Sequence, residues 1–232
     1  MESPYLPRIN VATSKLLVTV SALDDVAVAE PSLLPGWDRA MVITHLAANA
    51  EGLRRVVEAA GRGEVAEFYP GGAPAREADI QSGRGRPASQ LEERLRKACS
   101  AAATALEVAR DEVWQAVAVH ISGEVRIGPG PVVGRLREVE IHHVDLGCAY
   151  SSQDWPLPWV TEEMDRAMLA LPSRLPAGTA VYLSATDTGQ HWVAGSGDAV
   201  ELAGPTAELF AWVTGRASSV ADQPGPELTP YR

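Results

Sequence analysis

Two glutamates and two histidines lie close together in the segment RLREVEIHHVDLG, residues 135–147. The whole chain has only five histidines, and two of them are adjacent here. Glu138 precedes His142 by four residues and Glu140 precedes His143 by three, and both spacings place two side chains on one face of an α-helix. A carboxylate and an imidazole on one helical face are suitable ligands for a divalent metal ion. The spacing alone does not decide which pair would bind it.

A third ligand has to come from another helix, because a catalytic zinc site needs three protein ligands and an open position. His45 is the candidate, since it lies in the apolar segment VITHLAA, where an unpaired imidazole would be costly to bury. Asn49 follows one turn later and could orient a ligand or a water molecule. The residues alone also leave a structural role open, because glutamate and histidine occur at helical spacing by chance. His143 in particular lies close to an apolar stripe and could belong to the core.

The composition is typical of a soluble globular protein, with 46% hydrophobic and 22% charged residues in a chain of 232. A net charge of -10 argues against nucleic acid as a partner and against attraction to an anionic membrane. Two cysteines do not suggest a disulfide scaffold, and the N-terminal residues lack a signal-peptide pattern. There is no apolar run long enough to span a membrane, so we expect a cytoplasmic protein. We also expect a monomer.

The elements that must position these residues are four helices within residues 1–153. The segment between the second and third helices is rich in glycine, proline and charge, and we expect a long functional loop there. Arg76 and Arg84 lie in this loop. The pattern predicts a four-helix bundle with one long crossover. The predicted helices span residues 8–27, 38–61, 89–113 and 131–151.

The remaining residues, 154–232, predict a small α+β domain. A helix is expected at about 161–171, followed by the β-like segments AVYLSATD, HWVAG and AVELAG. A last helix begins near Pro205 and is ended by Gly215. The predicted fold class is therefore α+β, with a helical bundle followed by a smaller mixed domain.

Three segments in this order resemble the mycothiol-dependent maleylpyruvate isomerases. They are SLLPGWDRAMVITHLAANAEGL, LREVEIHHVDLG and GPTAELFAWVTGRAS, and the resemblance covers nearly the whole chain. It implies a DinB-like metal-binding bundle followed by a small C-terminal domain.

The resemblance also implies the roles of particular residues. It places the zinc ligands on His45, Glu138 and His142, and a functional arginine on Arg216. Arg76 and Arg84 are weaker candidates for contacts with a substrate carboxylate or with the sugar of the thiol. The implied cofactors are Zn²⁺ and mycothiol, and the implied substrate is a small dicarboxylate, maleylpyruvate, in gentisate-type aromatic degradation. The implied reaction is the cis–trans isomerisation of maleylpyruvate to fumarylpyruvate by a thiolate that is recovered unchanged.

Two other functions remain open at this point. The same scaffold could serve a thiol S-transferase that conjugates an electrophile and releases the adduct. It could also be a non-catalytic zinc-binding module with a regulatory role. The complete C-terminal domain with its Arg216 favours an enzyme over the non-catalytic zinc-binding module.

Overall fold

The chain folds into two compact units, Met1–Ala149 and Tyr150–Arg232. The sequence predicted residue 153 as the last residue of the first domain. Among the described residues, no helix is both long enough and apolar enough to cross a membrane. The structure is a computed structural model that describes residues 5–109, 117–119, 125–127, 130–216 and 219–230.

Six helices and three short strands make up the described part of the first unit. In chain order they are α1 (Leu6–Ser21), α2 (Asp25–Ala29), α3 (Arg39–Ala60), β1 (Ala66–Glu67), α4 (Gly72–Gln81), α5 (Ala88–Val108), β2 (Val117–Val119), β3 (Val125–Ile127) and α6 (Gly130–Asp145). β2 pairs with β1 in parallel and with β3 antiparallel.

The four long helices of this unit form the predicted bundle. Helix α3 packs against α5 and α6, and α1 packs against the same two helices, so that each helix has two neighbours around a shared core. Fully buried apolar side chains fill this core, among them Leu16, Met41, Leu53 and Leu95. The predicted fold class is therefore confirmed for this part of the chain.

Local signals explain where the helices begin and end. Asp38 caps α3 as predicted, because its Oδ1 accepts a hydrogen bond from the Met41 amide at 2.9 Å. The predicted first helix is wrong in its extent, since the chain leaves the helical path after Ser21 and α2 begins at Asp25 with its own aspartate cap, Asp24. The fourth helix is shorter than predicted, because the chain turns at Gly147, whose φ is +64°.

The sequence predicted a long loop between α3 and α5, and this connection contains a short strand and a helix, β1 and α4. Two glycines let this segment lie directly on α3. A Cβ added at Gly52 would lie 2.7 Å from the carbonyl oxygen of Phe68, and one added at Gly83 would lie 2.2 Å from Oγ1 of Thr44. Only glycine permits these two close approaches.

The second unit is the small α+β domain that the sequence predicted. Strand β4 is central, antiparallel to β5 and parallel to β6. The rings of Trp155, Trp159 and Phe210 contact one another edge to face within its core. Its elements in chain order are α7 (Leu157–Ala170), β4 (Thr179–Ala185), β5 (His191–Gly195), β6 (Asp198–Gly204) and α8 (Thr206–Thr214).

The close approach at Gly52 predicts opposite effects for two glycine-to-alanine substitutions in helices. Gly52→Ala should lower the free energy of unfolding by about 1–3 kcal/mol, because the added methyl group forces the Phe68 backbone away from α3. Gly134→Ala in α6 should raise it by up to about 1 kcal/mol, since no atom lies within 4 Å of its added Cβ and alanine favours a helix. Urea denaturation of both variants measures the difference, and a stabilised Gly52→Ala variant would contradict this account of the contact.

Candidate metal centre

One face of α6 carries the charged residues that build the site. Arg135, Glu138, His142 and Asp145 follow one another at intervals of three, four and three residues, so their side chains share one side of the helix. His143 points elsewhere: it is buried, and its Nε2 lies 2.7 Å from Oγ1 of Thr19 on α1. The structure thus separates the two histidines, which sequence spacing left undecided.

Three potential metal ligands converge between α3 and α6. Nε2 of His45 lies 2.8 Å from Oε2 of Glu138, and Nε2 of His142 lies 3.4 Å from the same oxygen. The two imidazole rings meet edge to face with their centroids 4.7 Å apart. One donor atom from each of the three residues lies within 4.8 Å of the others, as for ligands of one metal ion.

The donor set suits a divalent metal with a vacant coordination position. Two imidazole nitrogens and one carboxylate oxygen are ordinary zinc ligands. The imidazole of His45 is almost completely buried, but the Glu138 side chain keeps 32% of its surface exposed. The site is therefore open on the side of Glu138, where a further ligand could reach a bound metal.

Asp145 contacts the ring nitrogen of His142 that faces away from Glu138. Its Oδ2 lies 2.7 Å from Nδ1 of His142, and Asp145 itself is 1% exposed. This contact keeps a proton on Nδ1 and directs Nε2 toward Glu138, the orientation that a metal-binding histidine requires. Burial lowers the pKa of His142, but hydrogen bonds to Asp145 and Glu138 outweigh it and raise the pKa to about 9.

The other two residues of the cluster have pKa values displaced in the direction that favours metal binding. Burial lowers the pKa of His45 to about 4, although Glu138 opposes this shift, so His45 is neutral at pH 7. Burial would raise the pKa of Glu138, but the two imidazoles beside it hold that pKa well below its usual range. Glu138 is therefore a carboxylate and His45 a neutral imidazole before any metal arrives.

Aromatic and cationic side chains surround the ligands on the α3 side. Nη2 of Arg76, on α4, lies 3.1 Å from Nδ1 of His45, and its guanidinium lies 5.5 Å from the ring centroid of Tyr69. The ring of Trp37 contacts His45 edge to face at 5.9 Å. Asn49 is buried one turn after His45 on the same helix.

A buried arginine lies next to these residues. Arg135 is 2% exposed, and its Nη1 donates to the carbonyl oxygen of Leu46 at 2.9 Å and to Oδ1 of Asn49 at 2.8 Å. Its Nη2 lies 3.2 Å from the sulfur of Cys99 on α5. These contacts tie α6 to α3 and α5 beside the ligands, and they compensate in part for burying a guanidinium.

The residues predicted from the sequence fall into three places. His45, Glu138 and His142 come together, with Asn49 and Arg76 beside them. Arg84 contacts instead the residues that precede α3. Its Nη2 donates to the carbonyl oxygen of Gly36 at 2.8 Å, and its Nε lies 3.5 Å from Oδ2 of Asp38.

Arg216 belongs to the second unit. It directly follows Gly215, which ends α8 with a φ of +76°. Nη1 of Arg216 donates to the carbonyl oxygen of Thr214 at 2.6 Å, and its backbone amide donates to Ala211 at 2.8 Å. The arginine is thereby fixed at the C-terminal end of α8.

Sequence reasoning missed Tyr69, Asp145 and Arg135. Asp145 and Arg135 had a usable signal, since they share the helical face of Glu138 and His142. Tyr69 had none, because the segment around it has no hydrophobic period. Its place beside Arg76 depends on the close approach of Phe68 to Gly52.

A helical bundle with a convergent His–Glu–His cluster, followed by a small α+β domain, defines a class of two-domain proteins whose bundle could hold a metal ion. Within that class, the family model described as Mycothiol maleylpyruvate isomerase N-terminal domain matches residues 10–147. This match covers more than half of the chain, so the chain belongs to the mycothiol maleylpyruvate isomerase family. The resemblance inferred from the sequence is therefore confirmed.

Two solved structures share the fold. One is a crystal structure of the mycothiol-dependent maleylpyruvate isomerase, with 24% identity, a TM-score of 0.84, and coverage of 97% of this chain and 91% of the other. The second is a mutant of that isomerase in which a histidine is replaced by alanine, with 24% identity, a TM-score of 0.85, and coverage of 96% and 94%. At this identity the likeness establishes the fold. A comparison with curated protein sequences gave no match.

The contact between Asp145 and His142 predicts a loss of metal affinity on neutralising the carboxylate. In Asp145→Asn the amide oxygen can still accept the hydrogen bond, but the negative charge that supports the imidazole is gone. Zinc affinity should fall by about tenfold to a hundredfold. Competition with a chromophoric chelator measures it, and the exposed Asp198→Asn in the second unit is the matched control. Equal affinities for the two variants would contradict a supporting role for Asp145.

The raised pKa of His142 predicts that metal binding releases a proton. His142 is protonated below pH 9 in the metal-free protein, and a metal must displace that proton from Nε2. Zinc affinity should therefore rise by about tenfold per pH unit as the pH approaches the His142 pKa, and level off above it. Calorimetry at pH 7 in two buffers of different ionisation enthalpy should give a release of about one proton per metal. An affinity that is independent of pH would contradict this assignment.

Proposed function

We propose that this protein is a cis–trans isomerase that converts maleylpyruvate to fumarylpyruvate with mycothiol as a recycled thiol. The observation that carries the proposal is the convergence of His45, Glu138 and His142 in a chain of this family. We assign these three residues as ligands of Zn²⁺. We also assign the reaction to gentisate-type aromatic degradation, where its substrate is formed.

The proposed ligands leave a bound divalent cation with a net positive charge, because only Glu138 is anionic. Zinc, when bound, would lower the pKa of a coordinated thiol enough to yield the nucleophilic thiolate. In the reaction, the cis double bond of the substrate becomes single when sulfur adds to it, and its π electrons pass into the neighbouring ketone as an enolate. The single bond rotates, and the double bond re-forms in the trans geometry as sulfur leaves.

The reaction requires cations for the substrate carboxylates and for the enolate. Arg76 is suited to this task, because its guanidinium lies beside His45. When Nε2 of His45 serves as a ligand, the imidazole proton moves to Nδ1 and faces the Arg76 N–H. Two donors repel each other, so part of the guanidinium becomes available to a carboxylate.

Arg216 is proposed as the catalytic arginine of the second unit. Its guanidinium can bind a carboxylate through two parallel hydrogen bonds. Arg84 is a weaker candidate for substrate binding, since its contacts with Asp38 and Gly36 hold it at the beginning of α3.

The proposal predicts turnover without consumption of thiol. Zinc-loaded protein should convert maleylpyruvate to fumarylpyruvate with mycothiol present in catalytic amount. The loss of the cis substrate measures the turnover, and a thiol titration shows whether mycothiol is consumed. Stoichiometric consumption of thiol would instead favour an S-transferase.

Substitution of one ligand tests the metal assignment separately. His45→Ala should lose the bound zinc, which in the wild type should amount to about one ion per chain, and should lose activity with it. The exposed His191→Ala in the second unit is the matched control and should keep both. Metal analysis of the purified proteins measures the first outcome. Retention of zinc by His45→Ala would exclude the proposed ligand set, and full turnover after exhaustive chelation would exclude a role for metal.

A further inference from the structure

Helix α4, which carries Arg76, has little apolar packing to hold it on the bundle. It has ten residues, and Ile80 is its one buried residue. A helix this short is marginal by itself and depends on tertiary contacts. Arg76 and Asp79 are half-buried on the same side of α4 as Ile80, whereas Glu77 and Ala78 are exposed. The polar side chains on this inner side therefore contribute much of what fixes the position of α4.

Arg94, on α5, connects α4 to α3 through two carboxylates. Its Nε and Nη2 each donate to the Glu51 carboxylate on α3 at 3.0 Å. Its Nη1 and Nη2 donate to the Asp79 carboxylate on α4 at 3.0 and 2.8 Å. Each acid thus accepts two hydrogen bonds from one guanidinium, the geometry in which such a pair is strongest and most directional. The side chain of Arg94 is only 26% exposed, which limits screening by solvent.

Asp79 lies where local rules disfavour an acid. Helix α4 ends at Gln81, and the last turn of a helix carries partial negative charge that repels a carboxylate. Aspartate also has a lower helix propensity than alanine. The contact with Arg94 supplies the compensation, so the tertiary contact accounts for an acid at this position and the helix itself does not.

The anchor at Asp79 is coupled to Arg76 by the helix between them. Residues three apart share one face of a helix, so a shift or rotation of α4 moves both side chains together. Nη2 of Arg76 lies 3.1 Å from Nδ1 of His45. The contact between Asp79 and Arg94 therefore determines how closely the Arg76 guanidinium approaches the candidate metal centre.

We propose that Arg94 is a positioning residue of the candidate metal centre. By binding Asp79, it holds α4 in the place where Arg76 reaches the centre. Glu51 holds the other side of the same guanidinium on α3. Resting on the proposed isomerase function, Arg94 then sets how well Arg76 binds the substrate carboxylate, and it needs no contact with the substrate itself.

Asp79→Ala is the test variant, because it removes the anchor while alanine favours the helix. The contact between Arg76 and His45 is followed by nuclear magnetic resonance in the full-length chain before zinc is added. Labelling with ¹⁵N at the five histidines gives a simple spectrum. The Nδ1 signal of His45 in Asp79→Ala should shift away from its wild-type position toward its position in Arg76→Ala.

Substitutions on α5 test the same contact from its other side. Arg94→Gln should shift the His45 signal as Asp79→Ala does. Arg94→Lys should shift it less, since an ammonium group keeps the charge but cannot bind two carboxylates through paired hydrogen bonds. Arg96→Gln is the matched control, because Arg96 pairs with Glu92 within α5, and it should keep the wild-type signal.

Kinetics on zinc-loaded protein give the second measurement. The KM of Asp79→Ala for maleylpyruvate should rise by about threefold to tenfold, as for the partial loss of a hydrogen bond between charged groups, with a smaller change in kcat and no loss of zinc. When Arg76 is already replaced by alanine, Asp79→Ala should change the KM no further, because the anchor acts through Arg76.

The two measurements separate this proposal from the proposed reaction. A wild-type His45 signal in both Asp79→Ala and Arg94→Gln would overturn the positioning role, even in a protein that isomerises maleylpyruvate. An equal effect of Asp79→Ala on the KM with and without Arg76 would overturn it as well. A shifted signal in a protein that does not isomerise maleylpyruvate would support the role of Arg94 and reject only the reaction.

Discussion

The contact between His45 and Glu138 joins two helices and gives the buried imidazole of His45 an acidic partner. The two residues are 93 positions apart, yet their nitrogen and oxygen lie 2.8 Å from each other. An unpaired imidazole at 2% exposure would destabilise the bundle, and the carboxylate supplies its partner. This pairing fixes the register of α3 against α6, and the same register brings His142 to the same carboxylate oxygen.

A second constraint comes from the segment between α3 and α5. Glycines at positions 52 and 83 allow this segment to rest on α3, and the segment brings Arg76 to His45. The region then contains anionic Glu138 and Asp145 together with cationic Arg76 and Arg135. Opposite charges at this depth stabilise one another, so the centre can be buried without a metal and is still prepared to receive one.

Polar groups that support the centre are as constrained as the ligands. Asp145 fixes the tautomer of His142, and Arg135 fixes the amide of Asn49. Each supporting residue affects the site through the side chain that it contacts. Asp145 and Arg135 are both buried, so their side chains have little freedom to move. The precise geometry of the site therefore depends on rigid helices and on the connection between α3 and α5, which packs against α3.

The sequence by itself determined the helical face that carries Glu138 and His142, the cap of α3 at Asp38 and the end of α8 at Gly215. These follow from local rules, because helical periodicity and capping depend on neighbours within about four residues. The choice of His142 over His143 came from the family resemblance, and the structure accounts for it by turning His143 toward Thr19.

Only the tertiary structure decided which distant residues join the ligands. Asp145 and Arg135 lie at helical spacing from Glu138 and His142. The spacing does not say whether such a charged side chain is buried beside the cluster or exposed to solvent. Tyr69 lies in a segment whose composition predicted a long loop, and the contact that places it depends on a glycine of another element. Contacts between elements depend on the register and the close packing of helices, which arise from the whole core and not from any local stretch of sequence.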